Sequence, residues 1–364
     1  MKHTLTAGAA LLLSTGLAHA GGLDRSGQSI APLFEDGTYA ELSFSTVMPS
    51  VSGELRAAPL DSGNVAEDYF QFGLAFKDDI NERLSYAIIL EQPFGANVNY
   101  DDNDAGYPLE GSDAEFRSQS VTALGRYKFS DKLSVHGGVR VISIDADAVV
   151  NVAGAFGYEA SYDRDTQAAF VVGAAYEVPD IALRVALTYT SETEFSHDTQ
   201  FAVGAPPPGP LGPEQEGETE YTLPQSVNLE FQSGIAADTL LFGSLRWVEW
   251  SAGDIDSPGY PLNPLVSFED DTLTYNIGIG RRFTDTFSGF VSVGYERETD
   301  GEASNLAPTD GNLSVGLGGS YALANGVELS GGVSYVSIGD AETNVADFED
   351  NSAIGVGFQV AYNY

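Results

Sequence analysis

The chain has 364 residues, with 53 acidic side chains against 16 Lys and Arg, a formal net charge of −37 at pH 7, and no cysteine. This charge argues against nucleic acid as a partner, because phosphate binding needs clustered Lys and Arg, and the lack of cysteine excludes a disulfide scaffold. Glycine (41), tyrosine (18) and phenylalanine (20) are abundant, which favours strands, tight turns and aromatic girdles over helices.

The first twenty residues have the pattern of a secretory signal. A basic start precedes an apolar run from Leu5 to Leu17, and Ala18-His19-Ala20 has the small-x-small pattern that predicts cleavage after Ala20. The apolar run is too short to span a bilayer as a stable helix. We therefore predict an exported protein and assign residues 1–20 to a signal peptide.

The next segment, residues 21–37, has neither a helical nor a strand period. It nevertheless carries apolar and charged side chains that a free tail would not need: Leu23, Asp24, Arg25, Ile30, Leu33 and Phe34. One interpretation is a disordered periplasmic tail. The other is a plug, or hatch, enclosed by protein, in which Asp24 and Arg25 could pair with charged groups of the surrounding wall. Irregular backbone is acceptable at membrane depth where protein surrounds it.

Alternation of apolar with small or polar residues dominates from residue 38 onwards. The end of the chain shows it best, where Ile354, Val356 and Phe358 alternate with Gly355, Gly357 and Gln359. Fourteen strands are predicted, at about 38–51, 66–77, 82–92, 113–129, 132–147, 160–177, 181–200, 218–234, 238–251, 268–283, 286–298, 309–322, 326–338 and 349–364. An even number of strands of this length is typical of a transmembrane β-barrel.

The connections give a second argument for a barrel. Every second connection is tight, as at Ser130-Asp131 and Pro179-Asp180, whereas the others are long and polar, as at 93–112 and 201–217. This alternation is typical of outer-membrane barrels, which have short periplasmic turns and long external loops. A soluble sandwich or propeller also has many short strands, but would not need an apolar outer face rimmed by tyrosines. We predict an all-β fold, a 14-stranded antiparallel transmembrane β-barrel over residues 38–364.

Acidic residues concentrate in the predicted long loops. Clustered carboxylates could take a divalent cation, but no loop matches the spacing of an EF-hand, so we expect a solvated acidic surface and no metal site. The residues concerned are Asp101, Asp102, Asp104, Glu214, Glu216, Glu218, Glu220, Asp254, Asp256, Asp347, Glu349 and Asp350.

Several long side chains have the parity that points into the barrel. Arg126, Arg140 and Arg184 could pair with the inward Glu91, Glu177, Glu230 and Glu296 and brace the lumen, or could bind an anionic headgroup through charge-assisted hydrogen bonds. Leu124, Ile142 and Phe290 have the same parity, and such apolar patches favour a hydrophobic ligand over a purely polar pore. No nucleophile lies in a motif with a base, so we expect neither an enzyme nor a cofactor.

The chain resembles the FadL family of outer-membrane transporters for long-chain fatty acids and other hydrophobic compounds. The stretch Glu91-Gln92-Pro93-Phe94-Gly95 is similar to the family's Pro-Phe-Gly sequence at the end of strand three. The segments 223–229 (LPQSVNL) and 247–251 (WVEWS) resemble the family's Leu-Pro strand and its tryptophan-containing strand nine, and Tyr364 is a terminal aromatic residue. Two departures are a short hatch and Ile30-Ala31-Pro32-Leu33 in place of the common Asn-Pro-Ala.

The resemblance implies a hatch inside the barrel and a lateral opening in its wall. The opening would lie at Pro93, Phe94 and Gly95, since proline lacks the N–H that a strand ladder needs; the alternative for Pro93 is the start of the third long loop. The implied protein is a monomer that takes up fatty acids or similar compounds passively, contacts outer-membrane lipid, and is recognised by the barrel-assembly machinery through Tyr364. A general or anion-preferring porin and an adhesive barrel remain alternatives.

Overall fold

The computed structural model of the chain describes residues 22–101, 103–299 and 301–364. The predicted signal peptide and its cleavage site, together with Gly21 and Asp102, lie outside the described residues. No helix in the described part of the chain is both long and apolar enough to cross a membrane. Three short 3-10 helices occur, at Ala31–Phe34, Pro179–Ile181 and Trp250–Ala252.

The described residues form a closed antiparallel barrel of fourteen strands, which confirms the predicted fold class. The first strand, Tyr39–Ser50, pairs both with Tyr69–Asn81 and with the last strand, Ser352–Asn363, and this double pairing closes the barrel. The strands are β1 Tyr39–Ser50, β2 Tyr69–Asn81, β3a Leu84–Glu91 with β3b Gly95–Asn99, β4 Asp113–Lys128, β5 Leu133–Val152, β6 Phe156–Val178, β7a Leu183–Thr190 with β7b Thr193–Gly204, β8a Gln215–Leu223 with β8b Ser226–Ala236, β9 Thr239–Val248, β10 Thr272–Arg282, β11 Phe287–Glu296, β12 Asp310–Ala322, β13 Val327–Gly339 and β14 Ser352–Asn363.

Three strands are interrupted, and two of the interruptions contain proline. Strand β3 breaks at Gln92-Pro93-Phe94, β7 at Ser191-Glu192, and β8 at Pro224-Gln225. Proline cannot donate to a strand ladder, so it is found at edges and irregular positions. Strand β4 pairs with both halves of β3, and β6 pairs with both halves of β7, so these two strands continue past the break beside them.

The two faces of the wall follow the predicted parity. Apolar residues that alternate along the strands are exposed on the outside, including Val121 and Val139, Ile277 and Ile279, and Tyr295, Tyr321 and Tyr335. The other parity is buried and mostly small or polar, as at Ser292, Ser314 and Ser330. An outward apolar band with tyrosines is what a lipid-facing wall requires.

On the side of the barrel formed by β9 to β13, inward aromatic rings lie over inward glycines. A Cβ added to Gly278 would come within 2.4 Å of the Phe242 ring, and one added to Gly318 would come equally close to the Phe290 ring. The two rings also touch each other edge to face, with centroids 6.2 Å apart. The glycines therefore provide the space in which these rings pack.

Some predicted boundaries were wrong at the long-loop end. Glu216, which the predicted boundaries placed in the loop 201–217, lies in β8a together with Glu218 and Glu220, and the strand also carries the buried Thr219 and Tyr221. The reason is that β8a pairs with β7b along its full length, so the strand continues above the apolar band with acidic residues outward. Strands β5 and β6 likewise extend as a hairpin to Val152 and Phe156.

A small three-stranded sheet lies at the long-loop end, formed by Gly53–Leu55, Ala341–Glu342 and Ala346–Phe348. Arg56 joins its loops through ion pairs with Glu342 and Asp347, so part of the acidic surface is neutralised. Among the described residues, no group of three or more His, Cys, Asp or Glu side chains is placed to hold a metal ion.

Candidate functional site

The segment of residues 22–37, called the hatch segment below, is surrounded by strands of the barrel. Leu33 is fully buried and Ile30 is 2 % exposed. Both belong to an apolar cluster with Phe34 and with residues from five strands: Ala75, Ala87, Ile89, Leu124, Val171, Ala175 and Ala186. The predicted lumen residue Leu124 therefore packs against the hatch segment.

The strongest polar contact of the hatch segment is a buried ion pair. The Asp24 carboxylate accepts two hydrogen bonds of 2.9 Å from the Arg246 guanidinium on β9. Arg246 also donates to Asn228, whose side-chain amide donates to the Gly27 carbonyl at 2.9 Å. Such a two-point charge-assisted contact fixes geometry as well as charge, so it holds the hatch segment against β8b and β9.

Sequence reasoning missed Arg246. The signal was available, because Arg246 shares the inward parity of Phe242 and Val248 on the same strand. Its partner Asp24 was singled out as a residue that would pair with a lumen charge.

Arg140 makes a second contact between wall and hatch segment. Its guanidinium donates to the Gln28 side chain and, at 2.9 Å, to Thr122 Oγ1. It also lies 3.6 Å from the Glu91 carboxylate, which accepts a 2.7 Å hydrogen bond from Ser26. Arg140 is 3 % exposed, so its charge is satisfied entirely by protein groups.

Phe34 is held between two of the predicted arginines. The guanidinium carbons of Arg126 and Arg184 lie 4.5 and 4.7 Å from its ring centroid, and the His136 ring meets it edge-on at 6.0 Å. These are cation–π distances. Arg126 in addition forms an ion pair with Glu177.

All three predicted arginines thus face the hatch segment, and the pairs Arg126–Glu177 and Arg140–Glu91 are present. On β8b, Glu230 accepts hydrogen bonds from the Ser29 hydroxyl and the Ile30 N–H. In this arrangement the arginines brace the hatch segment.

The last residues of the hatch segment lie at the short-turn end of the barrel. Glu35 follows the 3-10 helix and precedes β1. Burial raises the pKa of its carboxyl to about 7; Arg184 and Lys77 act in the opposite direction, and the neighbouring acidic groups Asp36 and Glu328 act with burial.

The wall has a window where β2 and β3 separate. Below it, pairing ends at Leu74 opposite Leu90; above it, an isolated bridge joins Ala66 to Val98. Between these points, in the described part of the chain, no backbone pairing joins residues 68–73 on the β2 side to residues 91–96 on the β3 side. The window lies at the break in β3, where Pro93, Phe94 and Gly95 were predicted to open the wall.

The hatch segment is hydrogen-bonded to one edge of this window. The Arg25 N–H donates to the Pro93 carbonyl and the Gly95 N–H to the Leu23 carbonyl, both at 2.8 Å. Phe94 N–H donates to Ser118, and the Phe94 ring meets Trp250 edge to face. The segment 23–26 therefore lies along the broken part of β3, and a single antiparallel bridge pairs Asp24 with Phe94.

Arg25 departs from the expectation that it pairs with a charged group. Its guanidinium donates to the Asn97 side chain at 2.6 Å and stacks on Tyr69 at 4.1 Å. The backbone bonds to β3 direct it into the window, and a Cβ on Gly95 would lie only 2.6 Å from it. Glycine at position 95 leaves the room for this side chain.

Two largely apolar cavities meet at the tip of the hatch segment. One of about 130 Å³ is lined by residues such as Val47, Val51, Val65, Val98, Leu306 and Ile338. The other, of about 60 Å³, is lined by residues such as Phe116, Tyr162, Tyr221, Ile255, Leu265 and Val266. Leu23, Ala96 and Leu306 line both cavities.

The remaining two predicted lumen residues are placed differently. Ile142 is 2 % exposed and packs in the cluster that holds Leu23, Phe94 and Trp250. Phe290 lies over Gly318 on the opposite side of the barrel and lines neither of the two apolar cavities.

A closed barrel with an apolar outer face and an internal segment beside a break in its wall defines a class: the transmembrane barrels of outer-membrane transport. The family model described as "Outer membrane protein transport protein (OMPP1/FadL/TodX)" matches residues 37–363. The chain belongs to this family, and the resemblance noted from its motifs is confirmed.

Solved structures show the same fold. A Pseudomonas aeruginosa FadL homologue has a TM-score of 0.79 at 14% identity, covering 96% of this chain and 97% of that one. The P. putida toluene transporter TodX has a TM-score of 0.69 at 12% identity, covering 97% and 99%. The Ralstonia pickettii toluene transporter TbuX has a TM-score of 0.67 at 14% identity, covering 96% and 97%. No curated protein matches the chain significantly.

Proposed function

We propose that the protein takes up hydrophobic compounds, such as long-chain fatty acids, by passive diffusion across the outer membrane. A ligand enters at the long-loop end, rests in the apolar cavities beside Leu23 and Ala96, and leaves sideways through the wall window. One observation carries this proposal: the apolar cavities meet at Ala96, on the edge of the window itself. Apolar cavities with a few polar groups suit hydrophobic ligands.

In this proposal the hatch segment is the plug that closes the lumen. It fills the space between β3, β5, β8 and β9 and is bonded to the window edge, so a displacement of the segment would change the lumen and the window together. Displacement would also release Arg126, Arg140 and Arg184, which could then bind a carboxylate.

The relatives support a hydrophobic ligand without fixing which one. Two similar structures are described as toluene transporters and a third as a monoaromatic hydrocarbon channel. We further propose that the protein acts as a monomer embedded in outer-membrane lipid, and that the exposed Tyr364 is the terminal aromatic residue recognised during barrel assembly.

The test fills the shared cavity wall. Ala96→Phe places a ring where the two apolar cavities meet, and Ala322→Phe is the matched control on β12. Uptake of radiolabelled oleate and of toluene is measured in cells that lack their own transporter. We expect Ala96→Phe to lower uptake at least tenfold and Ala322→Phe to leave it unchanged, with both barrels folded by heat-modifiable gel mobility. Equal uptake by both variants would contradict the proposal, and a large steady conductance of the wild-type protein in planar bilayers would indicate a porin.

A further inference from the structure

The window in the wall is closed by two glutamine side chains. The Phe72 N–H donates to Gln92 Oε1 at 3.1 Å. Gln71 Nε2 donates to the Gln92 carbonyl at 3.3 Å and to the Arg25 carbonyl at 2.9 Å. These bonds replace the backbone ladder that would otherwise join β2 to β3 at this height.

Cavities lie on both sides of this closure. The inner cavity, of about 100 Å³, lies between the hatch segment and the wall and is lined by Ser29, Pro32, Glu41 and Ile89 among others. The outer cavity, of about 300 Å³, is lined by Phe94, Asn97, Ser118 and Arg117 among others. Arg25, Gln71 and Gln92 line both, so these three side chains form the partition between them.

We propose that Gln71 and Gln92 form a side-chain gate across the wall window, which controls the sideways exit of ligand from inside the barrel to the outer cavity. This proposal rests on the proposed function and names the residues that regulate its exit step. They are positioning residues, since they act by opening or closing a path.

The geometry allows the gate to open without separating the strands. The Leu74–Leu90 pair below the window and the Ala66–Val98 bridge above it are backbone contacts that do not involve either glutamine side chain. A change of rotamer at Gln71 and Gln92 breaks only the three side-chain bonds described. The freed side-chain amides can bond to water in the polar outer cavity, which lowers the cost of opening.

The gate also responds to the hatch segment. One of the three bonds ends on the Arg25 carbonyl, and the N–H of the same residue is bonded to Pro93 at the window edge. Movement of Arg25 therefore removes one acceptor of Gln71 and loosens the edge that carries Gln92.

The test locks the gate covalently. The natural chain has no cysteine, so Gln71→Cys with Gln92→Cys introduces a single pair of thiols that a short, reducible bifunctional reagent can bridge. The matched control is Ser288→Cys with Ser320→Cys, which lie opposite each other in the unbroken β11–β12 ladder. Bridging is verified by the mass of the intact protein. Two quantities are measured: binding of a fluorescent fatty acid to the purified protein, and its transfer into vesicles that contain the protein.

We expect the bridged gate variant to bind the fatty acid but to transfer it at least tenfold more slowly, with recovery after reduction. The bridged control should transfer at the wild-type rate. Unchanged transfer by a fully bridged gate variant would overturn the proposal. Wild-type protein that neither binds nor transfers the fatty acid would instead overturn the proposed function, and the gate with it.

A second pair of variants tests the gate without a reagent. Gln92→Leu removes the acceptor of the Phe72 N–H, whereas Gln92→Glu keeps one. We expect Gln92→Leu to raise the transfer rate several-fold and Gln92→Glu to raise it less, at equal binding affinity. Equal transfer rates for wild type and Gln92→Leu would contradict a closing role for this side chain.

Discussion

The two sides of the barrel are built differently. From β10 to β14 the ladders are continuous apart from one register shift between β12 and β13, and the inward residues are mostly glycine, serine and threonine. From β2 to β9 three strands are broken, and the inward residues that contact the hatch segment include the half-buried Glu91 and the buried Arg140, Glu230 and Arg246. The regular side forms only barrel wall, whereas the broken side contacts the hatch segment and contains the window in the wall.

This difference shows where an outer-membrane barrel can place irregular structure. Backbone groups in a lipid-facing wall need partners inside the protein, and the broken side supplies them from the hatch segment and from side chains such as Gln71, Gln92 and Ser118. The broken strands and the hatch segment therefore depend on each other, and removal of the segment should leave backbone groups of the broken strands without their partners.

Deletion of residues 22–33 should have the largest effect. It removes the segment that occupies the lumen on the broken side, together with its bonds to the window edge. We expect a closed barrel to become a leaky one, seen as a steady conductance in planar bilayers. Replacing residues 22–33 by a Gly/Ser sequence of equal length is the control for chain length and should also leak. Unchanged conductance in both would show that the segment is not a plug.

Loss of one partner of the buried ion pair should come next. Asp24→Ala leaves the Arg246 charge buried without its counter-ion, which costs about 3–5 kcal/mol. We expect this cost to appear as easier release of the hatch segment, measured by hydrogen exchange of its amides. Arg164→Ala, which removes an exposed pair with Asp145, should change exchange by less than about 1 kcal/mol. Similar effects of the two variants would show that the buried pair holds the hatch segment no more firmly than an exposed pair of the wall.

Phe34→Ala and Phe290→Ala compare one large ring on each side of the barrel. Each truncation of a packed ring costs about 3 kcal/mol or more, and Phe34 also loses its contacts with Arg126 and Arg184. We expect faster exchange of hatch-segment amides only in Phe34→Ala, and a lower thermal transition of the barrel in Phe290→Ala. Faster hatch exchange in both variants would indicate that the two sides are mechanically coupled.

The smallest expected effect is a pH dependence. Burial raises the pKa of Glu35 to about 7, above the ordinary value of about 4.3 in a free chain, so the docked hatch segment takes up a proton more readily than the released one. Docking is therefore most favourable below about pH 4 and weakens as the pH rises through 7. The protection factors of the segment's amides against hydrogen exchange, measured at pH 5 and 8, should show this difference, and Glu35→Gln should reduce it. A variant as pH-sensitive as the wild type would assign the effect to another group.

The sequence predicts the strands of the barrel wall much better than the contacts of the hatch segment inside the barrel. Strand number and outward parity follow from a period of two that local residues set, so they are readable along the chain. The partners of the hatch segment are not: Asp24 and Arg246 are 222 positions apart, and parity gives the inward direction without the height in the barrel. Arg25 was expected to meet a charge, but its backbone bonds to β3 lead its side chain to Asn97 and Tyr69.

The rings that lie over the glycines of β10 and β12 restrict how the sequence can change. Any side chain at Gly278 would collide with Phe242, and any at Gly318 with Phe290, although each pair lies on different strands. A larger residue at either glycine becomes acceptable only after its ring has been replaced by something smaller. Such positions change as pairs and in a fixed order, so family members should show them as coupled substitutions, with a small residue on one strand wherever the neighbouring strand carries a ring.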